Sequence, residues 1–479
     1  MPQTLLFLFI VSLEPLLMHL QLFPHIDFGS AYAFVVYFQA LLFFGFLLTL
    51  RRRWGITFFV AEALVFWLLL LYHRHFEDPL TLTIATTQLY EGLTFAGKSP
   101  RSLWNWQIGL VLVALLFKIV FMKRWYRPLY PAGLFRLVFF VPFLALGVVT
   151  FRNFHRQPFY NMDFRIYAAS LGYPQAWIYE VFTTLDRSLL IDKTVEASAE
   201  TLETLPPELQ GLSLPNNVYL IQVESFDYQA FSARVNQKPL MPFLNQIADS
   251  AVVYHLTDAP HYASSNVDFT ILTGATNSRD FYMVMYYLHP WKVYREVETL
   301  PKIMRQKGYY NSFYHGFTRR FYERGVNYER MAFDRLYFSE DLPITAKEGK
   351  WGYRDADLLS FVSEDNRKNP APKKFNFIIT VSSHEPFEVG EIHRKPFSRP
   401  GNRRELYYNS MNYVDQALQR LITQAPNDSL FIVYSDHAAD VLEKEDTLLL
   451  IYDKRATRPH RSTYSFYKMP LLIKTLLKQ

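Results

Sequence analysis

Apolar and polar positions divide this chain into two regimes. Before residue 152, Leu, Phe and Val run together in five segments, 5–23, 31–50, 56–72, 104–122 and 134–151, each close to the roughly 20 mostly apolar residues that a membrane-spanning helix needs. The first segment has no basic flank and no small-residue cleavage site, so it is predicted to be a retained helix and not a cleaved signal. Glu14, Glu62 and Lys118 fall inside predicted spans, where a lone charge is costly and a partner is expected. A structural ion pair is one expectation; a lipid-headgroup or proton path is the other.

Between 152 and 200 the apolar residues are interrupted by Arg152, Arg156, Asp163, Arg165 and Asp186. The mixture of aromatics and charges over 159–190 predicts helices lying at a membrane surface. Pro206, Pro207 and Pro215 mark a linker over 201–217. From 217 onward short apolar runs alternate with helical stretches, the pattern of a mostly parallel sheet covered by helices. Strands are predicted at 217–223 (NVYLIQV), 375–381 (FNFIITV) and 429–434 (SLFIVY), and helices at 299–307 and 406–423. The expected organisation is a five-helix transmembrane domain over 1–151, interfacial helices and a linker over 152–216, and an α/β domain over 217–479.

Charge sets the expected orientation. Arg51, Arg52 and Arg53 follow the second segment, and Lys123, Arg124, Arg127 and Arg136 follow or flank the fourth. Short cytoplasmic loops carry such an excess. The first loop has no Lys or Arg, and the third balances Arg74, Lys98 and Arg101 with Glu77, Asp78 and Glu91. Five crossings that start inside would deliver everything after residue 151 to the outer side of the plasma membrane. The net charge of +6 comes without a lysine-rich run or a nucleic-acid motif, so a membrane partner is expected and a nucleic acid is not. The chain has no cysteine, which excludes a disulfide framework, thiol catalysis and thiolate metal sites.

In open α/β sheets ligands gather beyond the carboxyl ends of the strands. Glu224 follows the first predicted strand (QVES), His384 the second (TVSSHEPF), and Asp436 with His437 the third (YSDH). Each is a group that binds metal or phosphate, although singly each has an ordinary reading as a helix cap or a hydrogen-bonded core residue. Carboxylates with one imidazole make an oxygen and nitrogen site suited to manganese, magnesium or zinc. Such a cation needs a hydroxyl nucleophile beside it. The stretch H-Y-A-S-S-N-V-D-F-T, with Ser264, Ser265, Asn266 and Asp268, offers candidates on a loop before a predicted helix. An N-cap role fits the same residues, and the start of a helix also stabilises an anion.

These motifs in this order resemble the lipoteichoic-acid-synthase-type phosphoglycerol transferases of the sulfatase and alkaline phosphatase superfamily. The ordered set is QVES, S-S-N-x-D-F, His315-Gly316 followed by Phe321-Tyr322 and Arg324, Trp351-Gly352, S-S-H-E-P-F and Y-S-D-H, over about residues 217–440. The resemblance implies a sulfatase-like fold with one main divalent cation, Mn2+ or Mg2+ before Zn2+. It places Glu224, Asp436 and His437 on metal-ligand positions. Ser264 falls on the nucleophile position, usually Thr, which also contacts the metal. His315, Tyr322, Arg324 and His384 fall on positions that hold substrate phosphate and glycerol, with Tyr322 where Trp is usual. Two departures accompany this: Phe317 stands where the family often has an acidic residue, and the C-terminus lacks the family's usual Gly- and Asp-containing stretch.

The activity implied is transfer of phosphoglycerol from an anionic phospholipid, phosphatidylglycerol, to a glycan or glycerol phosphate hydroxyl through a phospho-Ser264 intermediate. Alternatives on the same fold are a phosphoethanolamine transferase, disfavoured by the absence of cysteine, and a phosphodiesterase that uses water. A sulfatase proper would need Cys or Ser followed by x-Pro-x-Arg, whereas Ser264 is followed by Ser-Asn-Val-Asp. A scaffold or a transporter built on Glu14, Glu62 and Lys118 is the non-enzymatic alternative.

Overall fold

The computed structural model describes residues 2–23, 30–50, 52–76, 80–87, 106–124, 132–155, 168–169, 172–185, 201–259, 264–274, 292–345, 349–387, 389, 395–439, 441–442 and 446–479. The chain forms two compact units, Met1–Arg187 and Ser188–Gln479.

In the first unit each predicted apolar run carries a helix: α1 (Pro2–Leu22), α2 (Ala31–Leu47), α3 (Arg52–Phe76), and, after the short α4 (Leu82–Thr87), α5 (Trp106–Arg124) and α6 (Ala132–His155). Of the expected interfacial helices, α7 (Tyr173–Leu185) is described, whereas 156–167 and 186–200 lie outside the described residues. By length and composition, Gln3–Leu20 and Arg52–His73 are long and apolar enough to cross a membrane, and Ala31–Leu47 and Gly133–Val149 are shorter apolar helices. An aromatic core joins the helices: Phe7 stacks on Phe121 with centroids 3.7 Å apart, and Phe59 meets Phe7 edge-on at 6.2 Å. The surface is apolar as well. Among the described residues every exposed large hydrophobic side chain except Tyr310 and Leu406 belongs to this unit, Leu6, Phe34, Val113 and Val148 among them.

The three charges expected to need partners find one another inside this unit. Lys118, 1% exposed, pairs with Glu14 and with Glu62, the latter at 2.5 Å, and its ammonium sits 5.5 Å and 5.3 Å from the Phe44 and Phe59 ring centroids.

The second unit is built on a sheet with the strand order β10-β4-β9-β8-β1-β7-β5-β6. Its strands are β1 (Asn217–Val223), β4 (Val252–Thr257), β5 (Tyr310–His315), β6 (Arg335–Tyr337), β7 (Lys374–Ile379), β8 (Ser429–Ser435), β9 (Thr447–Asp453) and β10 (His460–Ser465). A separate small ribbon pairs β2 (Arg234–Val235) with β3 (Lys238–Pro239). The sheet is mostly parallel, as expected, and β9 runs antiparallel to both β8 and β4 within it. Central strands β1 and β8 are buried along their whole length, as unbroken apolar runs covered on both faces must be.

The helices used below are α8 (Ser264–Thr273), α9 (Leu300–Gln306), α10 (Arg324–Arg330), α11 (Asp355–Lys368), α12 (Arg403–Gln424) and α13 (Met469–Lys478). Starts are fixed by side chains: Thr299 accepts from Lys302 N at the head of α9, and Asn402 from Glu405 N at the head of α12. One core cluster, including Ile221, Val223, Leu358, Met411, Leu418, Phe431 and Val433, welds α11 and α12 to the sheet.

Two glycines set the approach of two loops beside the sheet. Gly352 has φ +86, and a Cβ there would lie 2.0 Å from Gly316 O; a Cβ on Gly316 would lie 2.5 Å from Tyr353 O. The backbones meet through Tyr353 N donating to Gly316 O at 2.9 Å. The His-Gly and Trp-Gly pairs of the sequence are thus two halves of one close contact.

Two expectations follow. Lys118→Leu, which strands two buried carboxylates, should destabilise the first unit by about 3–5 kcal/mol, whereas replacing Glu14, Glu62 and Lys118 together by Leu should be neutral or stabilising. Thermal unfolding of the detergent-purified variants measures both. Gly352→Ala should cost about 2 kcal/mol or more through the left-handed backbone and the clash with Gly316 O, read as a lower urea midpoint.

Candidate active site

Strand register brings the candidate residues together. β1 lies between β7 and β8 and is parallel to both, with Val223 opposite Ser435 and Gln222 opposite Ile379. The next residues, Glu224 and Asp436, therefore emerge side by side, and His437 follows. Ligand atoms of Glu224, Asp436 and His437 lie within 4.8 Å of one another. His437 Nε2 is 3.1 Å from Glu224 Oε1 and 3.6 Å from Asp436 Oδ2. The His437 Nδ1–H donates to the Ala438 carbonyl at 3.0 Å, which leaves Nε2 as the nitrogen that could hold a metal.

The electrostatics of this cluster are dominated by two close carboxylates and one imidazole. Burial alone would raise the Glu224 carboxyl, but the hydrogen bond and charge of His437 hold it well below the usual carboxylate range. Burial and the like charge of Glu224 push Asp436 up to about 7. Burial would lower His437, yet the two carboxylates raise it to about 10. Asp436 Oδ1 accepts from Ser225 N at 2.9 Å and His437 N at 3.0 Å. Asp436 Oδ2 is buried and, among the described residues, has no hydrogen-bond partner, with His437 Nε2 3.6 Å away. An orphaned carboxylate oxygen aimed at an imidazole and a second carboxylate fits a divalent metal ion.

Ser264 was expected on a loop and is instead the first residue of α8. Its side chain, 9% exposed, lies within hydrogen-bonding reach of the Asp436 carboxylate. Residues 261–263 and the Ser265 side chain lie outside the described residues. Ser264 therefore combines an acidic partner with a helix start, where unpaired N–H groups favour an anion.

His384 sits on the loop after β7, and that loop is tied down along its length. Asp355 accepts from Val381 N and Ser382 N at 2.8 Å and 3.1 Å, and burial pushes its carboxyl up to about 6 despite those bonds. The Ser383 hydroxyl donates to Glu224 O, and Glu224 N donates to Thr380 Oγ1 at 3.1 Å. The half-buried His384 ring packs on Trp351 with centroids 4.0 Å apart, and Trp351 Nε1 donates to Glu385 O at 2.7 Å. Phe317 and Phe321 meet Trp351 edge-on at 5.4 Å and 5.8 Å, forming an aromatic wall.

His315, at the end of β5, and Arg324, heading α10, are 3% and 2% exposed. His315 Nδ1 faces the Ile379 carbonyl at 3.2 Å and so carries the proton, which leaves Nε2 to accept from Arg324 Nη1 at 3.1 Å. Burial, reinforced by the Arg324 charge, pushes His315 down to about 3, so the ring is neutral. The Arg324 guanidinium lies 5.0 Å over Tyr322, whose φ of 56 lies in the left-handed region.

Sequence reasoning did not assign roles to Ser225, Asp355, Tyr407 or Asp268. Ser225 has φ 52, its hydroxyl donates to Glu224 Oε1 at 2.9 Å, and its carbonyl accepts from Tyr407 Oη at 2.6 Å. The positive φ and the α12 partner are tertiary facts with no signal in a short motif.

The family model for sulfatases matches residues 216–473. The chain is 24% identical over 232 residues to a lipoteichoic acid synthase-like protein of Bacillus subtilis, covering 46% of this chain and 36% of that protein. It is 22% identical over 438 residues to lipoteichoic acid synthase 2 of the same organism, covering 83% of this chain and 65% of that one. It thus spans about a third to two thirds of the length of these relatives. Its fold is similar to that of the integral membrane lipooligosaccharide phosphoethanolamine transferase of Neisseria meningitidis over 98% of this chain and 95% of that one, with a TM-score of 0.53 and 14% identity. The match covers more than half of the sequence and takes in the Glu224, Ser264, Asp436 and His437 cluster: the chain belongs to the sulfatase family.

Proposed function

We propose that this protein transfers a phosphoglycerol group from phosphatidylglycerol to a hydroxyl acceptor on a glycan or a glycerol phosphate chain. The observation that carries the reading is the convergence of Glu224, Asp436 and His437, with Ser264 within hydrogen-bonding reach of the Asp436 carboxylate. The relatives named lipoteichoic acid synthases support the same class of chemistry.

Glu224, Asp436, His437 and Ser264 would hold Mn2+ or Mg2+, which supplies positive charge that lowers the pKa of the serine hydroxyl and offsets charge on a phosphoryl oxygen. Ser264 loses its hydroxyl proton to solvent as Oγ attacks phosphorus, the bond from phosphorus to the diacylglycerol oxygen breaks, that oxygen takes up a proton, and a phosphoglyceryl-Ser264 remains. An acceptor hydroxyl then attacks that phosphorus, giving up its proton, and Ser264 leaves and regains one. The N–H groups at the start of α8 and the Arg324 guanidinium face the charge that develops. His384 is better placed than His315 to donate a proton to the departing oxygen, because both His315 nitrogens are engaged and its ring is held neutral.

The first unit has a role in this reading: helices with an apolar surface hold the catalytic unit near lipid headgroups and raise their effective concentration. A multi-pass plasma-membrane protein with the catalytic unit outside agrees with the Arg-rich second loop and the odd number of expected crossings. One observation favours a second reading. The wall of Phe317, Phe321 and Trp351 offers aromatic faces and edges where a glycerol would want hydrogen-bonding groups. An ammonium group is attracted to such faces, so phosphoethanolamine is the alternative transferred group.

Three measurements test these statements. With fluorescent phosphatidylglycerol, Mn2+ and detergent-purified protein, Ser264→Ala should lower turnover by about 10^4-fold or more; equal turnover removes the nucleophile. Under the same conditions His384→Gln should lose about 10^2- to 10^4-fold in kcat and His315→Gln less. The mass gained by the acceptor from mixed phosphatidylglycerol and phosphatidylethanolamine vesicles separates phosphoglycerol from phosphoethanolamine transfer. Cation affinity should rise with pH. Asp436 and His437 hold protons above their ordinary values, at about 7 and about 10, and both must release them to bind metal. Calorimetry in buffers of different ionisation enthalpy should show proton release, with apparent affinity climbing from pH 6 through 8; a flat profile contradicts the ligand set.

A further inference from the structure

We infer that Asp268 is the positioning residue of this site, fixing the Arg324 guanidinium and, through it, the His315 ring. Asp268 is fully buried in α8, one turn beyond Ser264. Its Oδ2 accepts from Arg324 Nε at 2.7 Å and from Tyr328 Oη at 3.0 Å, and its Oδ1 accepts from Gln222 Nε2 at 2.6 Å. Gln222 is held in turn by Tyr434 Oη, which donates to its Oε1 at 2.7 Å. From Arg324 the chain continues through His315 Nε2 to the Ile379 carbonyl. One hydrogen-bonded line therefore crosses β8, β1, α8, α10, β5 and β7 behind the candidate site.

Each member of that line has its direction fixed. The carboxylate can only accept, so Gln222 must present its NH2 to Asp268 and its carbonyl to Tyr434. Arg324 cannot rotate about its long axis without breaking the Nε bond to Asp268, and the guanidinium plane is further fixed by Tyr322 beneath it. With Nε turned to Asp268 and Nη1 to His315, only part of the planar fork remains for an anion. His315 then acts through Arg324 as a support, its ring set by the Ile379 carbonyl on one side and the guanidinium on the other. Because Asp268 and Ser264 share one helix, the same carboxylate ties the spacing of nucleophile and guanidinium to the rise of one helical turn. A lysine at 324 would keep the charge and lose this orientation.

This inference rests on the phosphotransferase reading, and the test separates the two. Binding of glycerol 1-phosphate, measured by calorimetry on the full chain with saturating Mn2+, is compared for the native protein, Asp268→Asn, Arg324→Ala and the double variant, alongside kcat and KM. Asp268→Asn should weaken glycerol 1-phosphate binding and lower kcat/KM on the order of 100-fold, as expected for a misplaced binding group, while Mn2+ affinity stays within about twofold of native. In the Arg324→Ala background the same change should add less than about threefold, because nothing is left to position. Asp268→Glu should recover part of the loss, which a neutral substitution cannot. If Asp268→Asn does not fold, Tyr328→Phe serves instead. Its ring stays packed against Phe313 and Phe333, with centroids 4.7 Å and 5.6 Å away, and its lost hydroxyl should weaken binding several-fold. Full additivity of Asp268→Asn with Arg324→Ala, or native affinity in both Asp268→Asn and Tyr328→Phe, overturns the inference. No glycerol 1-phosphate binding and no turnover by the native protein overturns the transferase reading and this inference with it.

Discussion

Two carboxylates buried side by side are the constraint on which the second unit turns. The register of β1 against β8 delivers Glu224 and Asp436 to adjacent strand ends, where each is at most 5% exposed. Like charges at that spacing oppose each other's ionisation, as the raised Asp436 carboxyl shows. The neighbourhood answers with everything that favours negative charge. His437 supplies an imidazole, and Ser225 bends into φ 52 so that its N–H reaches Asp436 while its hydroxyl reaches Glu224. That backbone is held by Tyr407 of α12, whose hydroxyl donates to Ser225 O and accepts from Asp227 N. Strain of this kind persists only where its surroundings over-determine it. The core between β1, β8 and α12 therefore serves to keep together a pair that would otherwise separate.

The candidate cluster was legible in the sequence because it is a strand-end phenomenon. A buried parallel strand announces itself as an unbroken apolar run, and the first polar residue after it is a site candidate. β1 was placed at its observed bounds; β8 ended one residue later and β7 two residues earlier than read. Residues that act across elements were not legible. Asp268 looked like part of a helix start, and nothing near it in sequence names Arg324 56 positions away. Asp355 reads as an ordinary first-turn acid of a helix, yet it accepts from the Val381 and Ser382 amides and so shapes the His384 loop. Gly316 and Gly352 could be read as turn glycines, but their reason is mutual: each leaves room for the backbone of the other loop.

The first unit is apolar on its surface as well as in its core. Its interior contains Lys118, Glu14 and Glu62 in ion pairs, while Leu6, Val113 and Val148 face outward. In water that arrangement would expose an adhesive surface; in lipid it is what an apolar solvent demands. The pairing answers the cost of three charges read from the sequence, and Phe44 and Phe59 flank the ammonium. It gives a structural reason for residues that alone would have suggested transport.

The position of the proposed nucleophile depends on parts of the chain distant in sequence from the candidate site. Ser264 opens α8, so its place is set by whatever holds that helix. Asp268 grips it from the side through Arg324, Tyr328 and Gln222. At its other end Lys474, buried in α13, donates to the Thr273 carbonyl at 3.1 Å, where a cation favours the helix terminus, and it also pairs with Glu298 at 3.3 Å. The C-terminal segment that departs from the resembling family is thus spent on clamping the helix that carries the serine. A change in that segment would act on Ser264 by tilting α8 and would leave the candidate metal ligands, which follow strands of the sheet, where they are. Ser264 and the candidate ligands are therefore mounted on separate elements, and the buried Asp268 to Gln222 bond joins α8 directly to the strand that Glu224 follows.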